Sequence, residues 1–317
     1  MSASNELIDA LLAGDPKALA RSISYVENQD PRALSILKAV YPKGRDIPII
    51  GITGPAGVGK SSLTDQLIGL YRAQGKTVGV VAVDPSSPFT GGAILGDRIR
   101  MQRHGTDPGV FIRSMATRGK LGGIAAATFD VIDLLNASGK DVILVETVGV
   151  GQDEVDVVKI VNTTIVVLMP GLGDEVQAMK AGLMEIADLL IINKADRSEA
   201  EKMEMELQST LSFFQPENGW RPKILKTIAT SNVGVDQVVA AIEEHASYLR
   251  QSGKLNQKLQ QQSRQRMLDA LEAAILTQIM DEGYDRLGIS SKIEEIATRK
   301  TDPHSVVAEL LKHFKIE

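Results

Sequence analysis

The stretch GITGPAGVGKSSLTDQLI, which runs from Gly51 to Ile68, decides the fold of this chain. It places four glycines and a lysine between an apolar run and a segment with helical apolar spacing. Residues Gly54 to Ser61 fit the phosphate-binding pattern G-x-x-x-x-G-K-[ST]. Glycines let a backbone wrap a phosphate without Cβ clashes, and successive N–H groups at a helix N-terminus form an anion-binding nest. The stretch therefore predicts a strand, a phosphate-binding loop and a helix.

Two side chains of this loop carry the chemistry that the pattern predicts. We expect Lys60 to reach the β- and γ-phosphates of a nucleotide and the Ser61 hydroxyl to ligate Mg²⁺. An ordinary glycine-rich turn is the alternative, and the lysine, the serine and the flanking strand and helix together disfavour it. The expected nucleotide contacts of the loop are Gly54, Ala56, Gly57, Val58, Gly59, Lys60, Ser61 and Ser62.

Short β-rich runs alternate with helical segments from Asp46 to about Tyr248. The runs are IPIIGIT, TVGVVAVD, GVFIRSM, DVILVET, TTIVVLM, DLLIINK and KILKTIA. Buried runs separated by helices indicate crossover connections and a mostly parallel sheet that helices cover on both faces. The sequence therefore predicts an α/β fold of the P-loop NTPase type, with a helical segment before it and a helical extension after it.

The tetrapeptide Asn193–Asp196 (NKAD) follows the run DLLII, at the sheet edge where ligands of open α/β folds bind. A carboxylate at Asp196 can accept two hydrogen bonds from the N1–H and exocyclic amine of guanine. Adenine lacks that donor pair, so it would leave the carboxylate unpaired. A charged surface loop is the alternative to this interpretation. The residues expected to bind guanine are Asn193, Lys194, Asp196 and, in a segment resembling a loop that closes over the base, Ser231 and Asn232.

Carboxylates end two of the predicted strands, which puts them beside the phosphate loop. Asp84 ends TVGVVAVD and Glu146 ends DVILVET, and carboxylates there suit Mg²⁺, either directly or through water. Each could instead be a helix cap or a turn residue. Asp97, in the long Gly-, Pro- and Ser-rich connector after Asp84, is a second candidate ligand from that segment. We predict Ser61, Asp84, Asp97 and Glu146 as metal ligands, and Lys60, Asp84 and Glu146 as catalytic residues.

The residues after Glu146 predict a switch. Glu146–Gly149 occupies the place where Ras-like GTPases carry Asp-x-x-Gly, and the Gly149 N–H can contact a γ-phosphate that is lost on hydrolysis. No glutamine follows this motif immediately, and Gln152 lies three residues beyond it. Because hydrolysis needs a positioned water, we expect slow intrinsic turnover that rises when a partner fixes the switches.

Composition excludes several classes of function. The 317 residues carry a net charge of −5, so no overall basic field favours nucleic acid or an anionic membrane. The chain has no cysteine, which removes disulfides, thiolate metal sites and thiol nucleophiles. We find no secretory signal and no apolar run near the roughly 20 residues needed to cross a bilayer. We therefore expect a cytoplasmic protein with neither nucleic acid nor membrane as partner.

Five motifs occur in a characteristic order: GPAGVGKSSL, VDPSSPFTGGAILGDRIRM, VETVGVGQDEVDV, PGLGDEVQAMKAG and NKAD. In these motifs, and over nearly its whole length, the chain resembles the MeaB/ArgK GTPases, which are relatives of the human methylmalonic aciduria type A protein. The second motif is the specific one, because GTPases at large do not share it. The resemblance implies a GTP-dependent chaperone that gates adenosylcobalamin delivery to an acyl-CoA mutase and protects or reactivates that enzyme.

The resemblance also implies roles for individual residues. Lys60 and Ser61 match the phosphate and metal residues, and Asp196 matches the residue that reads guanine. Asp84, Asp97 and Glu146 match the metal and switch cluster. Lys180, in PGLGDEVQAMKAG, matches a switch lysine that couples nucleotide state to the mutase, and we group Gln152 with it. Methylmalonyl-CoA mutase and isobutyryl-CoA mutase are both candidate clients.

Three segments follow from these patterns: an N-terminal helical segment at 1–45, a P-loop GTPase domain at 46–250 and a C-terminal helical extension at 251–317. The resemblance implies homodimers that join through the C-terminal helices. Residues 263–280 offer an apolar face for such a seam, and packing within one subunit is the alternative. The face consists of Met267, Leu268, Leu271, Ile275 and Ile279.

Two other functions compete with the chaperone. The first is a small-molecule kinase that acts, for example, on an amino acid, since relatives have carried the label of an arginine or ornithine transport kinase. A kinase needs a substrate pocket and a catalytic base, and we find no group of residues in the sequence that would provide them. The second competing function is that of a metal-insertion GTPase, and such proteins usually carry metal ligands. This chain has no cysteine, and its histidines are scattered. They are His104, His245, His304 and His313.

Arginines concentrate around the first predicted switch and the strand after it. A solvated basic face is the default interpretation. One of them near the γ-phosphate would instead act as an arginine finger in cis. The five are Arg98, Arg100, Arg103, Arg113 and Arg118.

Overall fold

The computed structural model of the chain describes residues 3–84, 102–116, 123–147, 159–171, 185–213, 219–277, 279 and 287–313. Its seven described strands form one sheet in the order β3-β2-β4-β1-β5-β6-β7, and every pair of neighbours is parallel. The strands are β1 (Ile49–Thr53), β2 (Val78–Asp84), β3 (Val110–Ala116), β4 (Val142–Thr147), β5 (Thr163–Leu168), β6 (Leu189–Asn193) and β7 (Lys223–Thr227). All seven predicted runs are strands, and the predicted parallel sheet is confirmed.

Helices connect and flank these strands. Before the sheet lie α1 (Ala3–Leu12), α2 (Pro16–Glu27) and α3 (Pro31–Val40). Between strands lie α4 (Lys60–Ala73), α5 (Gly123–Ala137) and α6 (Ala200–Ser212). After the sheet come α7 (Val235–Gln251), α8 (Lys254–Thr277), α9 (Ile289–Ala297) and α10 (Pro303–His313). None of the helices in the described ranges combines the length and the apolar character that crossing a membrane requires.

Helices cover both faces of the sheet, which explains why β4, β5 and β6 are buried along their whole length. On one face, α4 and α7 pack over Ile50 and Ile52 of β1 and their neighbours. On the other face, α1, α2, α3 and α5 enclose a core with Val81 and Ile143, while α6 packs over Val166 and neighbouring residues of β5 and β6. The phosphate loop therefore leaves a strand that is fixed from both sides.

Aspartate–proline pairs start the second and third helices. Asp15 accepts hydrogen bonds from the backbone N–H groups of Lys17 at 2.7 Å and Ala18 at 2.8 Å, and Pro16 is the first helical residue. Asp30 accepts from the Arg32 N–H at 2.9 Å, ahead of Pro31. A side-chain acceptor before the helix and a proline at its first position are ordinary start signals. Both helix starts therefore have local causes that the sequence contains.

Internal contacts divide the chain into two compact units, residues 1–262 and 263–317. In the first unit the beginning of α8 is fixed, because Lys258 Nζ donates to the Asn162 carbonyl at 2.9 Å and Gln262 Nε2 donates to the Val161 carbonyl at 3.1 Å. In the second unit, Lys292 of α9 pairs with Glu309 of α10 at 2.7 Å. The division into segments at residues 45 and 250 stays a prediction.

Candidate nucleotide-binding site

The loop between β1 and α4 lies at the carboxyl edge of the sheet, beside the strand where the chain order reverses. From β1 the chain passes to β2 on one side and later to β5 on the other, and ligands of open α/β sheets bind at such a switch point. Gly54 has φ +134° and Gly59 has φ +98°. A Cβ on Gly54 would lie 2.1 Å from the Val167 carbonyl oxygen, and one on Gly59 would lie 2.3 Å from Asn193 Nδ2. Only glycine fits both positions, since the loop presses against β5 and β6.

The Lys60 side chain folds back over this loop. Its Nζ donates to the Gly54 carbonyl at 2.7 Å and to the Pro55 carbonyl at 2.9 Å, and the side chain is buried. These bonds hold the turns of the loop together around a positive charge. Lys60 is also the first residue of α4, so the ammonium group and the N-terminal N–H groups of that helix converge on the same loop. Such an arrangement attracts phosphate.

Glu146 is the penultimate residue of β4, directly behind this loop. In the sheet it lies level with Ile52 of β1 and Ala82 of β2, and only 2% of its surface is exposed. Its Oε1 accepts a hydrogen bond from Ser61 Oγ at 2.6 Å, and its Oε2 accepts from Thr64 Oγ1 at 2.7 Å. The structure thus brings together two of the predicted metal ligands, Ser61 and Glu146.

Oxygen donors of this kind fit magnesium. Mg²⁺ prefers oxygen ligands in octahedral geometry and usually keeps several waters, so one hydroxyl and one carboxylate beside the phosphate loop make a suitable protein share. The backbone of Asp84 ends β2, two residues beyond the level of Glu146. The side chain of Asp84 and the whole of Asp97 lie outside the described residues. In the described part of the chain, no group of three or more His, Asp or Glu residues forms a metal centre.

Asn193 joins the predicted base-binding segment to the phosphate loop. Its Nδ2 donates to the Val58 carbonyl at 2.8 Å, while its Oδ1 accepts from Thr227 Oγ1 and from the Ala229 N–H, both at 3.1 Å. Only 2% of its surface is exposed. Lys194 adds a bond from Nζ to the Gly57 carbonyl at 2.8 Å. The segment is therefore fixed to the loop on one side and to the end of β7 on the other.

The remaining predicted base contacts surround this junction. Asp196 lies two residues after Lys194, and its side chain is exposed, so its carboxylate is accessible to a base. Ser231 and Asn232 are exposed as well and end the short 3₁₀ turn that follows β7. Asn232 has φ +57°, a left-handed conformation that asparagine tolerates better than most residues. The predicted base contacts thus lie in two neighbouring loops at one edge of the sheet.

Threonines support the site, and the sequence analysis missed them. Thr147 Oγ1 donates to Thr53 Oγ1 at 2.9 Å, which joins the ends of β4 and β1 immediately beside the phosphate loop. Thr227 holds Asn193, and Thr64 holds Glu146. Thr64 follows Ser61 by three residues in the first turn of α4, a spacing that puts both hydroxyls on one helix face. That spacing was the available signal for Thr64.

Several predicted residues lie outside the described part of the chain. Among the switch candidates these are Gly149, Gln152 and Lys180, and among the arginines they are Arg98, Arg100 and Arg118. Of the two described arginines, Arg103 pairs with Asp65 of α4 at 2.6 Å. Arg113 pairs with Glu27 of α2, a helix on the sheet face opposite α4. Both guanidinium groups are thus engaged by carboxylates.

Two of the histidines make defined contacts. His104 Nε2 lies 3.1 Å from Asp65 Oδ1. His245 is fully buried, with Nδ1 2.9 Å from Thr163 Oγ1 and Nε2 3.3 Å from Asp188 Oδ1. Burial lowers the pKa of His245, and the nearby Asp188 carboxylate opposes this shift only in part. These contacts are structural, and they lie at two separate places in the fold.

Comparisons with known proteins agree with this geometry. Residues 19–283 match the family described as methylmalonyl-CoA mutase-associated GTPase MeaB. A Pyrococcus abyssi protein with a GTPase name is 48% identical over 98% of this chain and 96% of its own length. The Caenorhabditis elegans methylmalonic aciduria type A homolog is 33% identical over 98% of this chain and 82% of its own length.

A solved structure resembles the chain over its whole length. The protein named LAO/AO transport system kinase superposes with a TM-score of 0.72 at 28% sequence identity, and the match covers 98% of this chain and 97% of that one. The fold is therefore shared with a protein that carries a different name.

Proposed function

Because the chain belongs to the methylmalonyl-CoA mutase-associated GTPase family MeaB, we propose that this GTPase is a chaperone of an adenosylcobalamin-dependent acyl-CoA mutase. In this proposal the chain hydrolyses GTP to GDP and phosphate, and the nucleotide state decides when cofactor is delivered to the mutase. In the same proposal, the chain also protects or reactivates the mutase. Methylmalonyl-CoA mutase is the first client to test, since the family description names it.

One observation carries the nucleotide part of the proposal: the phosphate loop and the base-binding segment are a single hydrogen-bonded unit. Asn193 binds the Val58 carbonyl at 2.8 Å and Lys194 binds the Gly57 carbonyl at 2.8 Å. When a nucleotide binds to the phosphate loop, the base-binding segment is therefore already in position to contact the base. Preorganised donors of this kind lower the entropic cost of binding. The exposed carboxylate of Asp196 supplies the choice of guanine over adenine.

The residues around the loop divide the remaining work. We assign Lys60 and the backbone N–H groups of the loop to the β- and γ-phosphates, and Ser61 with Glu146 to Mg²⁺, with Asp84 and Asp97 as further ligands. When bound, Mg²⁺ neutralises charge on the phosphates. Lys60 Nζ already lies over the loop, where it donates to two carbonyls, and contact with two phosphates would exchange at least one of these bonds, because an ammonium group has three donors.

Two segments would carry the nucleotide state to the partner. Residues 148–158 follow β4, which ends with Glu146 and Thr147, and residues 172–184 follow β5. We propose Gly149 and Gln152 in the first segment and Lys180 in the second as switch residues. Because Glu146 is bonded to α4 directly behind the phosphate loop, a change at the γ-phosphate reaches the start of the first segment through one carboxylate.

The C-terminal extension supplies the proposed homodimer contact. Met267, Leu268 and Leu271 of α8 are 62%, 41% and 54% exposed. These three residues recur at helical spacing, so they form a stripe on one side of the helix. A second copy of the chain that contributes the same stripe would bury both, as an isologous interface does.

Affinity capture tests the chaperone role. The immobilised chain, loaded with a non-hydrolysable GTP analogue or with GDP, is exposed to purified methylmalonyl-CoA mutase, and bound mutase is quantified. We expect a difference of at least about tenfold between the two states, which corresponds to a coupling free energy of about 1.4 kcal/mol. A Lys60→Ala variant, which loses a phosphate contact, serves as the control and removes the difference. Equal capture in both states would contradict nucleotide-controlled binding.

A small-molecule kinase is the second candidate, and the name of the superposed structure, LAO/AO transport system kinase, favours it. The two functions differ in their products. A chaperone GTPase releases one inorganic phosphate for each GTP, whatever amino acids are present. A kinase transfers the phosphoryl group to its substrate, so added arginine or ornithine would yield a phosphorylated product at the expense of free phosphate. Product analysis with radiolabelled GTP separates the two.

A further inference from the structure

The hydroxyl of Thr64 is the second of two that hold the Glu146 carboxylate. Thr64 is fully buried, and its Oγ1 lies 2.7 Å from Glu146 Oε2. Ser61 Oγ lies 2.6 Å from the other oxygen, Oε1. Each carboxylate oxygen is thus bound by a hydroxyl from the first turn of α4. Bonds from hydroxyls to a carboxylate are charge-assisted and stronger than bonds between neutral groups.

The second hydroxyl has a geometric consequence for the first. A glutamate carboxylate ends three rotatable bonds, and a single hydrogen bond at Oε1 leaves the group free to rotate and exchange its two oxygens. The bond from Thr64 to Oε2 fixes the plane of the carboxylate and keeps Oε1 on Ser61. Because Ser61 and Thr64 are three residues apart in one helix, the two donors are held at a constant spacing.

From this contact we infer that Thr64 is a positioning residue for the magnesium site. The inference rests on the proposed function, in which Ser61 and Glu146 serve Mg²⁺. Thr64 binds Oε2 of Glu146 and thereby orients Oε1 toward the metal position that Glu146 would share with Ser61. It acts through Glu146 and touches neither nucleotide nor metal.

Thr64 also has a second acceptor within reach. Its Oγ1 lies 3.0 Å from the Lys60 carbonyl, the normal partner of a threonine hydroxyl within a helix. Its one proton serves either the carboxylate or this carbonyl, so Glu146 can move away without leaving a buried hydroxyl unsatisfied. A displacement of Glu146 when the nucleotide changes therefore costs less than it would beside a donor with a single acceptor.

The test measures how Mg²⁺ slows the release of a fluorescent GDP analogue from the full chain. Thr64→Val keeps the shape and removes the hydroxyl, and Thr64→Ser keeps the hydroxyl and removes a methyl group. Thr164→Val is the matched control, because Thr164 is fully buried and its Oγ1 has no hydrogen-bond partner among the residues that the structure describes. Release is followed as a function of free Mg²⁺, and separately in EDTA.

For Thr64→Val, we expect the Mg²⁺ concentration at half-maximal effect to rise about tenfold, the factor typical of one lost hydrogen bond to a charged group. Release in EDTA should stay within about twofold of the unchanged chain, since the nucleotide itself loses no contact. Thr64→Ser and Thr164→Val should both keep the original midpoint. This pattern separates positioning of the metal site from a general loss of packing.

An unchanged midpoint in Thr64→Val would overturn the inference. So would an equal rise in the release rate in EDTA, because a merely structural role predicts it. If Thr64→Val does not fold, Thr64→Ala replaces it in the comparison with Thr64→Ser. If the release of the GDP analogue from the unchanged chain does not depend on Mg²⁺, the proposed magnesium site is contradicted, and this inference with it. If release from the unchanged chain depends on Mg²⁺ and Thr64→Val has the same midpoint, the inference alone is contradicted.

Discussion

Replacement of Asn193 by alanine tests the junction between phosphate loop and base-binding segment. The change removes one donor and one acceptor that together make three hydrogen bonds, to the Val58 carbonyl, the Thr227 hydroxyl and the Ala229 N–H. All are buried, and a hydrogen bond contributes about 1 kcal/mol to stability. We expect the free energy of unfolding to fall by about 3 kcal/mol, and somewhat more where a partner stays unsatisfied. Urea unfolding followed by circular dichroism measures this loss.

The same variant should bind GDP about fivefold more weakly. Loss of the Val58 bond, worth about 1 kcal/mol, leaves only the Lys194–Gly57 bond of the two described above between the phosphate loop and the base-binding segment, and binding must then restore the arrangement. The measurement is isothermal titration calorimetry with GDP and Mg²⁺.

Asn136 provides a matched control for this experiment. It also makes two bonds through its amide, both partly buried, donating to the Arg45 carbonyl at 2.8 Å and accepting from the Arg45 N–H at 3.0 Å, but it lies in α5, outside the candidate site. Asn136→Ala should cost about 2 kcal/mol of stability for its two bonds and leave GDP affinity unchanged. If Asn193→Ala keeps the original GDP affinity, or if both variants lose it equally, the reasoning about the junction is refuted.

Three further predictions concern the loop, a buried histidine and the C-terminal helix. Gly54→Ala places a methyl group 2.1 Å from the Val167 carbonyl oxygen; we expect loss of GDP binding by calorimetry, and retained binding would contradict the close approach. Burial lowers the pKa of His245 in the folded chain. As pH falls below the ordinary histidine pKa of 6.5, His245 is therefore protonated in the unfolded chain before it is protonated in the folded chain. Stability should then fall by at most about 1.4 kcal/mol per pH unit, and urea unfolding at pH 7.5 and 5.5 should find a smaller decrease in His245→Gln. Leu271→Glu should shift the chain from dimer to monomer in analytical ultracentrifugation, and a monomeric unchanged chain would contradict the proposed dimer.

Strands and helix starts followed from the sequence because their causes are local. Burial on both faces makes the centre of a β-rich run apolar, as in the VILV of DVILVET. The helix start at Asp30–Pro31 needs only a side-chain acceptor and a fixed φ. The order of the strands has no local cause, because it depends on which side of the sheet each crossover takes. No single run predicts, for example, that β1 lies between β4 and β5.

The candidate site divides in the same way. Lys60, Ser61 and Asn193 belong to contiguous motifs whose spacing carries their chemistry. Thr64 and Thr227 become part of the site only through contacts across the fold, with Glu146 at 2.7 Å and with Asn193 at 3.1 Å. A threonine in a helix or a strand is common. The three-residue spacing from Ser61 places Thr64 on the same helix face but does not name Glu146 as its partner, and Thr227 has no such neighbour in sequence. Tertiary contacts, which the sequence pattern does not contain, assign them to the site.

We propose that this chain holds a guanine nucleotide whose base is read by the carboxylate of Asp196. Calorimetry with Mg²⁺ on the unchanged chain and on Asp196→Asn tests it most directly, because xanthine carries a carbonyl where guanine carries its exocyclic amine, and an amide can donate to that carbonyl. We expect the unchanged chain to bind GTP and not ATP, and Asp196→Asn to lose GTP and gain xanthosine triphosphate, each by roughly 100-fold. Tight ATP binding by the unchanged chain, or undiminished GTP binding by the variant, would contradict the claim.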